Sequence, residues 1–258
     1  MILQTMTPQT MTPQAAPPKV MLAVENLCAW YGAAQILYDL SLEVRRGEVV
    51  ALMGRNGAGK TTTIKTIMGL MARRSGTVRF DGHDISRRKP FEIARLGLGF
   101  TPEDRRIFSD LTVLENLDVG RQPPRTLADG TPVPTWTPDK LFELFPNLAA
   151  MPHRSGGRMS GGEQQMLTVA RTLMGNPILV LLDEPSEGVA PIVVERMAST
   201  IVELKKEGLS VLLSEQNVNF AEIVADRVYV LEKGQIRWDG SMAELAGNVA
   251  IQRDFLTL

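Results

Sequence analysis

The chain has 258 residues, 44% hydrophobic and 22% charged, with a formal net charge of −1. That length supports one sizeable core or two closely joined subdomains, and the near-neutral balance gives no general electrostatic reason to bind nucleic acid. A single cysteine, Cys28, excludes an intrachain disulfide, and two histidines, His83 and His153, leave little room for imidazole chemistry.

Residues 1–20 contain the tandem repeat TMTPQ TMTPQ and are expected to be a disordered tail, because they hold too little apolar surface to offset ordering entropy. They lack the basic start and apolar stretch of a signal peptide, and Met21 is a candidate translation start. No apolar run approaches the ~20 residues of a membrane span. The composition suits a reducing cytosol.

From Met21 onward, MLAVENL, SLEV and EVVALM read as short strands. The helix TTTIKTIMGL follows, with Ile64, Ile67, Met68 and Met71 at helical spacing, then strands in TVRFDG and GLGFT. Between Thr112 and Met174 the pattern is mainly helical. It is broken by RQPPRTLADGTPVPTWTP, whose five prolines and turn signals predict a surface loop. After Pro177 the order is strand (ILVLL), helix (IVVERMASTIVELKKE), strand (SVLL), helix (NVNFAEIVA), and a hairpin turned at Lys233-Gly234. Strands alternating with helices imply an α/β core with a parallel sheet, joined here to β-rich and helical additions.

Gly54-Arg55-Asn56-Gly57-Ala58-Gly59-Lys60-Thr61, continued by Thr62, matches G-x-x-x-x-G-K-[ST] between a strand and a helix. Such a loop turns successive N–H groups toward an anion at a helix N-terminus. Lys60 is then expected on the β- and γ-phosphates, with the Thr61 hydroxyl on Mg²⁺. The run ending Asp183-Glu184 reads as a buried parallel strand whose C-terminal end presents two acids. Asp183 would hold the metal and Glu184 would polarise an attacking water. Ser160-Gly161-Gly162-Glu163 opens a helix as a capping box. The two first-turn glycines weaken that helix by roughly 1 kcal/mol each, which makes sense where a phosphate must approach the backbone.

Met159-Ser160-Gly161-Gly162-Glu163-Gln164-Gln165, placed between the phosphate loop and Asp183-Glu184, resembles the signature of the ATP-binding-cassette ATPases. The resemblance runs from about Met21 to the C-terminus. It implies a P-loop NTPase (RecA-like) core with a parallel sheet, an N-terminal antiparallel β subdomain, and an α-helical subdomain inserted at roughly 103–175. It also implies that two cassettes sandwich two ATPs, Ser160 and Gly162 touching the partner's nucleotide. Tyr31 falls where the family stacks an aromatic on adenine, with Trp30 as a rival.

Three positions depart from the common family pattern: Glu103 replaces a glutamine, Ala190 an aspartate, and Gln216 a histidine. Glu103 still offers oxygen to Mg²⁺. Gln216 is expected to act as a neutral γ-phosphate sensor, able to donate an N–H but unable to titrate. Ser214 and Glu215 beside it read as ordinary loop residues. TPEDRRIFSDLTVLENL, DEPSEGVAP and SEQN together resemble the branched-chain amino-acid importer ATPases. That branch implies a peripheral subunit on the cytoplasmic face of the inner membrane. Its partners would be two integral membrane permeases, a second cassette of the same or a different kind and, indirectly, a soluble solute-binding protein. The segment from Glu103 to Phe108 and the helical insertion would face the membrane partner. Urea or short-amide import and lipid or glycolipid export are the alternatives. A DNA-repair ATPase is disfavoured, since the interval from Lys60 to Met159 is too short for a long coiled coil and no basic stripe occurs.

Overall fold

Ten strands form two sheets in the computed structural model, which describes residues 19–256. The expected disordered tail therefore lies outside the described residues, apart from Lys19 and Val20.

Strand β1 (Val20–Tyr31) pairs antiparallel with β2 (Ala34–Arg45) and with β4 (Arg73–Phe80), and β5 (His83–Asp84) adds to β4. β1 runs four residues past the MLAVENL segment. Asn26, at φ 49°, interrupts its alternation at a register shift, so the two halves of one strand read as a strand followed by an irregular stretch.

The second sheet has the order β10-β9-β3-β8-β7-β6, with β3 (Val49–Met53), β6 (Leu98–Thr101), β7 (Leu179–Asp183) and β8 (Ser210–Glu215). β9 (Arg227–Glu232) runs parallel to β3, and β10 (Gln235–Ser241) closes the edge antiparallel through the expected turn at Lys233-Gly234. Each central strand is buried on both faces, which is why β3 and the start of β7 read as runs of hydrophobics, while β8 also buries Ser210, Ser214 and Glu215. Alternate residues feed two cores. Val49, Ala51, Val180, Leu182, Val211 and Leu213 face one; Val50, Leu52, Leu179, Leu181 and Leu212 face the other.

Helix α1 (Lys60–Ile67) packs with the antiparallel sheet on the second face, and α2 (Pro90–Arg95) leads into β6. The first face is covered by α3 (Val113–Gly120), α4 (Pro138–Leu144), α5 (Pro146–Ala149), α6 (Gly161–Leu173) and α7 (Pro191–Lys206). Local chemistry starts several of these helices. Thr112 with Glu115 and Ser160 with Glu163 form capping boxes, and Pro138 and Pro191 take the first helical position. α8 (Val218–Val224) is capped by Asn217. After β10 come α9 (Met242–Ala246), α10 (Val249–Ile251) and a π-helical turn over Gln252–Leu256, a C-terminal cap without a sequence-level expectation.

The proline-rich segment is irregular, as expected, but it is more than a surface loop. Leu127 is buried in one core and Trp136 in the other. The Ala128 N–H donates to Asp81 Oδ2 at 2.7 Å, and the Trp136 N–H donates to Asn176 Oδ1 at 2.7 Å. Two apolar anchors and these bonds make it a strap between the antiparallel sheet and the helical layer.

Candidate active site

In the parallel sheet β3 lies beside β8, and β8 beside β7. This adjacency brings the phosphate loop after β3, Glu215 at the end of β8 and Asp183 at the end of β7 to one edge. Register pairs Met53 with Glu215 and Asp183 with Ser214. Residues more than a hundred positions apart thus share one C-terminal sheet edge, where open α/β folds bind ligands.

The loop over 54–59 curls because its glycines allow it. A Cβ on Gly54 would lie 2.3 Å from the Leu231 carbonyl oxygen, and Gly59 has φ 114°. Lys60 then opens α1 with its side chain folded back over the loop. Its Nζ donates to the Gly54 carbonyl at 2.8 Å and pairs with Glu184 Oε1 at 2.9 Å. Both side chains are buried, so each charge needs the other.

A cleft of about 490 Å³ opens over this loop. It is lined by Tyr31, Ile36, Asn56, Gly57, Gly59, Lys60, Thr61, Thr62, Glu103, Glu184 and Glu187. Most of the residues expected at the site therefore meet in one cavity. Tyr31 is 52% exposed at the end of β1, which removes it from the core. Its rival Trp30 is half-buried, with the Arg73 guanidinium 4.7 Å from its ring centroid. Ala58 is buried against the second core.

The Thr61 hydroxyl donates to Asp183 Oδ1 at 2.9 Å, and the Ser214 hydroxyl donates to the same oxygen at 2.7 Å. Asp183 Oδ2 is buried and has no hydrogen-bond partner among the described residues. An orphaned carboxylate oxygen beside a threonine hydroxyl is a donor set of the kind Mg²⁺ takes, completed by phosphate oxygens and water. Burial raises the Asp183 carboxyl above the ordinary aspartate range, against the hydrogen bonds from Ser214 and Thr61. A divalent cation there would favour the ionised form.

Glu184 stands at φ 49°, a left-handed conformation costing a non-glycine residue about 1 kcal/mol. Its N–H donates to Ser214 Oγ at 3.0 Å, which anchors the strained backbone. Burial pushes its carboxyl upward, but hydrogen bonds from Glu187, Lys60 and Gln216 and the Lys60 charge outweigh that and hold it below the usual range. Glu187 is pushed up to about 7, first by its hydrogen bond to Glu184, then by burial and by the charges of Glu184 and Glu103. Glu184 is held as the ionised member of the pair because Lys60 sits against it.

Gln216 Nε2 donates to Asn56 Oδ1 at 2.6 Å, and its amide helps to lower the Glu184 carboxyl. This residue links the end of β8 to the phosphate loop. Its two neighbours differ from their expected character as loop residues. Ser214 and Glu215 belong to β8 and are fully buried, at 0% and 2% exposure. Glu215 accepts the N–H groups of Ser186, Gln216 and Asn217 at 3.1–3.2 Å, tying the Asp183-Glu184 loop to β8. Burial raises its carboxyl despite those bonds. Sequence reasoning missed Ser214, Glu215 and Glu187. The available signals were two further residues continuing the SVLL strand, and an acid three positions after Glu184.

Ser160 and Gly162 do not line the cleft. Ser160 is exposed, accepts the Glu163 N–H at 3.3 Å and donates its own N–H to Glu163 Oε2 at 2.7 Å. A Cβ on Gly162 would fall 2.5 Å from Val193 Cγ2 of α7. This glycine therefore has a packing reason within the chain, in addition to any approach by a phosphate.

Comparison with known proteins agrees with this geometry. The ABC transporter family model matches residues 37–187. The high-affinity branched-chain amino acid transport ATP-binding protein BraG of Pseudomonas aeruginosa is 43% identical over 92% of this chain and 99% of its own length. The lipopolysaccharide export system ATP-binding protein LptB of Haemophilus influenzae is 35% identical over 92% of this chain and 97% of its own length. A nucleotide-free ATP-binding cassette from an ABC transporter superposes with TM-score 0.74 at 29% identity, covering 89% of this chain and 94% of that one. With the phosphate loop, Asp183-Glu184 and signature helix in place on that fold, the chain belongs to the ABC transporter family, as an ATP-binding, ATP-hydrolysing subunit.

Proposed function

We propose that this ATPase powers solute import, with branched-chain amino acids as the transported class. The likeness to BraG along nearly the whole of both chains carries the substrate reading. The segments TPEDRRIFSDLTVLENL, DEPSEGVAP and SEQN support it. The subunit would sit on the cytoplasmic face of the membrane, bound to two integral membrane permeases and facing a second cassette. Among the described residues no helix is long and apolar enough to cross a membrane.

In this reading the amides of the phosphate loop and Lys60 hold the triphosphate, with Tyr31 against the adenine. Thr61 and Asp183 would hold Mg²⁺, with Glu103 reaching it directly or through water; the cation would neutralise phosphate charge. Phosphate oxygens would give Lys60 a second anionic partner, leaving Glu184 to accept a hydrogen bond from the attacking water. Gln216 would donate to the γ-phosphate from its place beside Asn56. Ser160, which is exposed, and Gly162, which is half-buried, lie outside this cleft and would complete the partner cassette's site.

The test is uptake by the whole transporter in proteoliposomes, with leucine, isoleucine, valine and urea as solutes. ATP-dependent uptake of the three amino acids, abolished by Glu184→Gln, is the expected result. Uptake of urea alone would change the substrate class. The similarity to LptB makes lipid extraction the second measurement, and extraction without amino-acid uptake would overturn import.

A further inference from the structure

Glu103 reaches the cleft from an unusual turn. The Arg105 N–H donates to the Pro102 carbonyl at 3.3 Å, so Glu103 occupies the second position of a four-residue turn leaving β6. Arg105 at φ 60° and Arg106 at φ 49°, beyond Asp104, are both left-handed, a conformation that ordinary side chains disfavour and that surrounding structure must impose. The restraint comes from α6, the helix opened by Ser160. Thr168 Oγ1 donates to the Arg105 carbonyl at 2.9 Å. Arg171 Nη2 donates to the Arg106 carbonyl at 2.7 Å, and its guanidinium lies 5.1 Å from the Phe108 ring centroid. One planar fork thus holds a strained carbonyl and an aromatic face at once, a geometry lysine cannot reproduce.

We propose that Arg171 is a positioning residue for ATP hydrolysis, acting through Glu103 by holding the strained Arg105–Arg106 turn. The inference rests on the hydrolytic reading of the cleft, in which Glu103 faces the metal and water. Arg171 touches neither nucleotide nor metal in that reading; it sets where the turn presents the carboxylate. Because Arg171 and Ser160 share one helix, the position of Glu103 in one cassette is tied to the signature segment of the same chain.

The test is a double-mutant cycle on the full-length chain, reading kcat, KM for ATP and thermal stability for Arg171→Lys, Glu103→Ala and the pair. Arg171→Lys is expected to lower kcat about tenfold, with KM changed less than about threefold. In the Glu103→Ala background the same change should lower kcat by less than about threefold, since the group it positions is gone. An equal fold loss in both backgrounds overturns the proposal, as does a loss confined to KM. Should Arg171→Lys not fold, Thr168→Val carries the same cycle through the neighbouring carbonyl. Glu103→Ala turning over at the parent rate also overturns it, whereas Glu184→Gln turning over at the parent rate would overturn the hydrolytic reading itself.

Discussion

Gln216 donates its side-chain N–H to Asn56 Oδ1 across 2.6 Å, joining the end of β8 to the phosphate loop although the two residues are 160 positions apart. Its amide also lowers the Glu184 carboxyl, so one side chain acts on both the phosphate loop and the acid.

Gln216→Ala should therefore slow turnover while sparing binding. We expect kcat to fall about a hundred- to a thousandfold, the range for losing one preorganised donor. Nucleotide affinity should stay within about threefold, because the loop amides and Lys60 remain. Steady-state kinetics with a parallel nucleotide-binding titration decide it. Unchanged turnover would reduce Gln216 to a strand-end residue.

The Glu184–Glu187 pair should give folding stability a particular pH dependence. Glu187 has an ordinary value of 4.5 and is pushed up to about 7 in the folded chain. Between those values the folded chain holds a proton that the unfolded chain lacks, so this group's contribution falls as pH rises through the window and is flat above it. Glu187→Gln cannot titrate. Urea midpoints at pH 5, 6, 7 and 8 should show the parent losing stability relative to that variant. A constant gap would mean that Glu187 is not raised in the folded chain.

Glu215→Ala should destabilise the fold by about 2–4 kcal/mol, because three N–H groups lose a buried acceptor together. Glu215→Gln keeps one acceptor oxygen and should cost less. Turnover should fall in both, since Ser186 lies on the loop that carries Glu184. Denaturant unfolding compared across the two variants checks the ranking, and an alanine variant as stable as the parent would contradict it.

Gly162→Ala should cost about 1–3 kcal/mol through overpacking against Val193. Adding Val193→Ala should recover most of that loss, which a thermal melt would show. ATPase activity then separates two reasons for the glycine. Recovered stability with recovered turnover leaves packing as the sole reason; recovered stability with lost turnover adds a requirement for close approach at the signature.

Much of this protein is legible in its sequence. The phosphate loop and Asp183-Glu184 are contiguous, so the residues that bend the backbone are the residues in the motif. The two-sided burial of β3 and β7 showed directly as apolar runs. Capping at Ser160 was likewise local, written by a serine and a glutamate three apart.

Tertiary structure decided the relations that no window contains. The Asp183–Ser214 register turns a presumed loop serine into a hydrogen-bond donor to the acid. Burial of Glu215 depends on how far β8 continues, and hydrophobicity could not say, because the strand ends in polar residues that it nonetheless buries. Gly162 meets Val193 only because α7 crosses α6, and the proline-rich segment became a strap only because two separate cores received Leu127 and Trp136. The division follows from chain physics: short-range sterics and capping are set by neighbours in sequence, while strand order and helix packing are set by which apolar faces find each other in space.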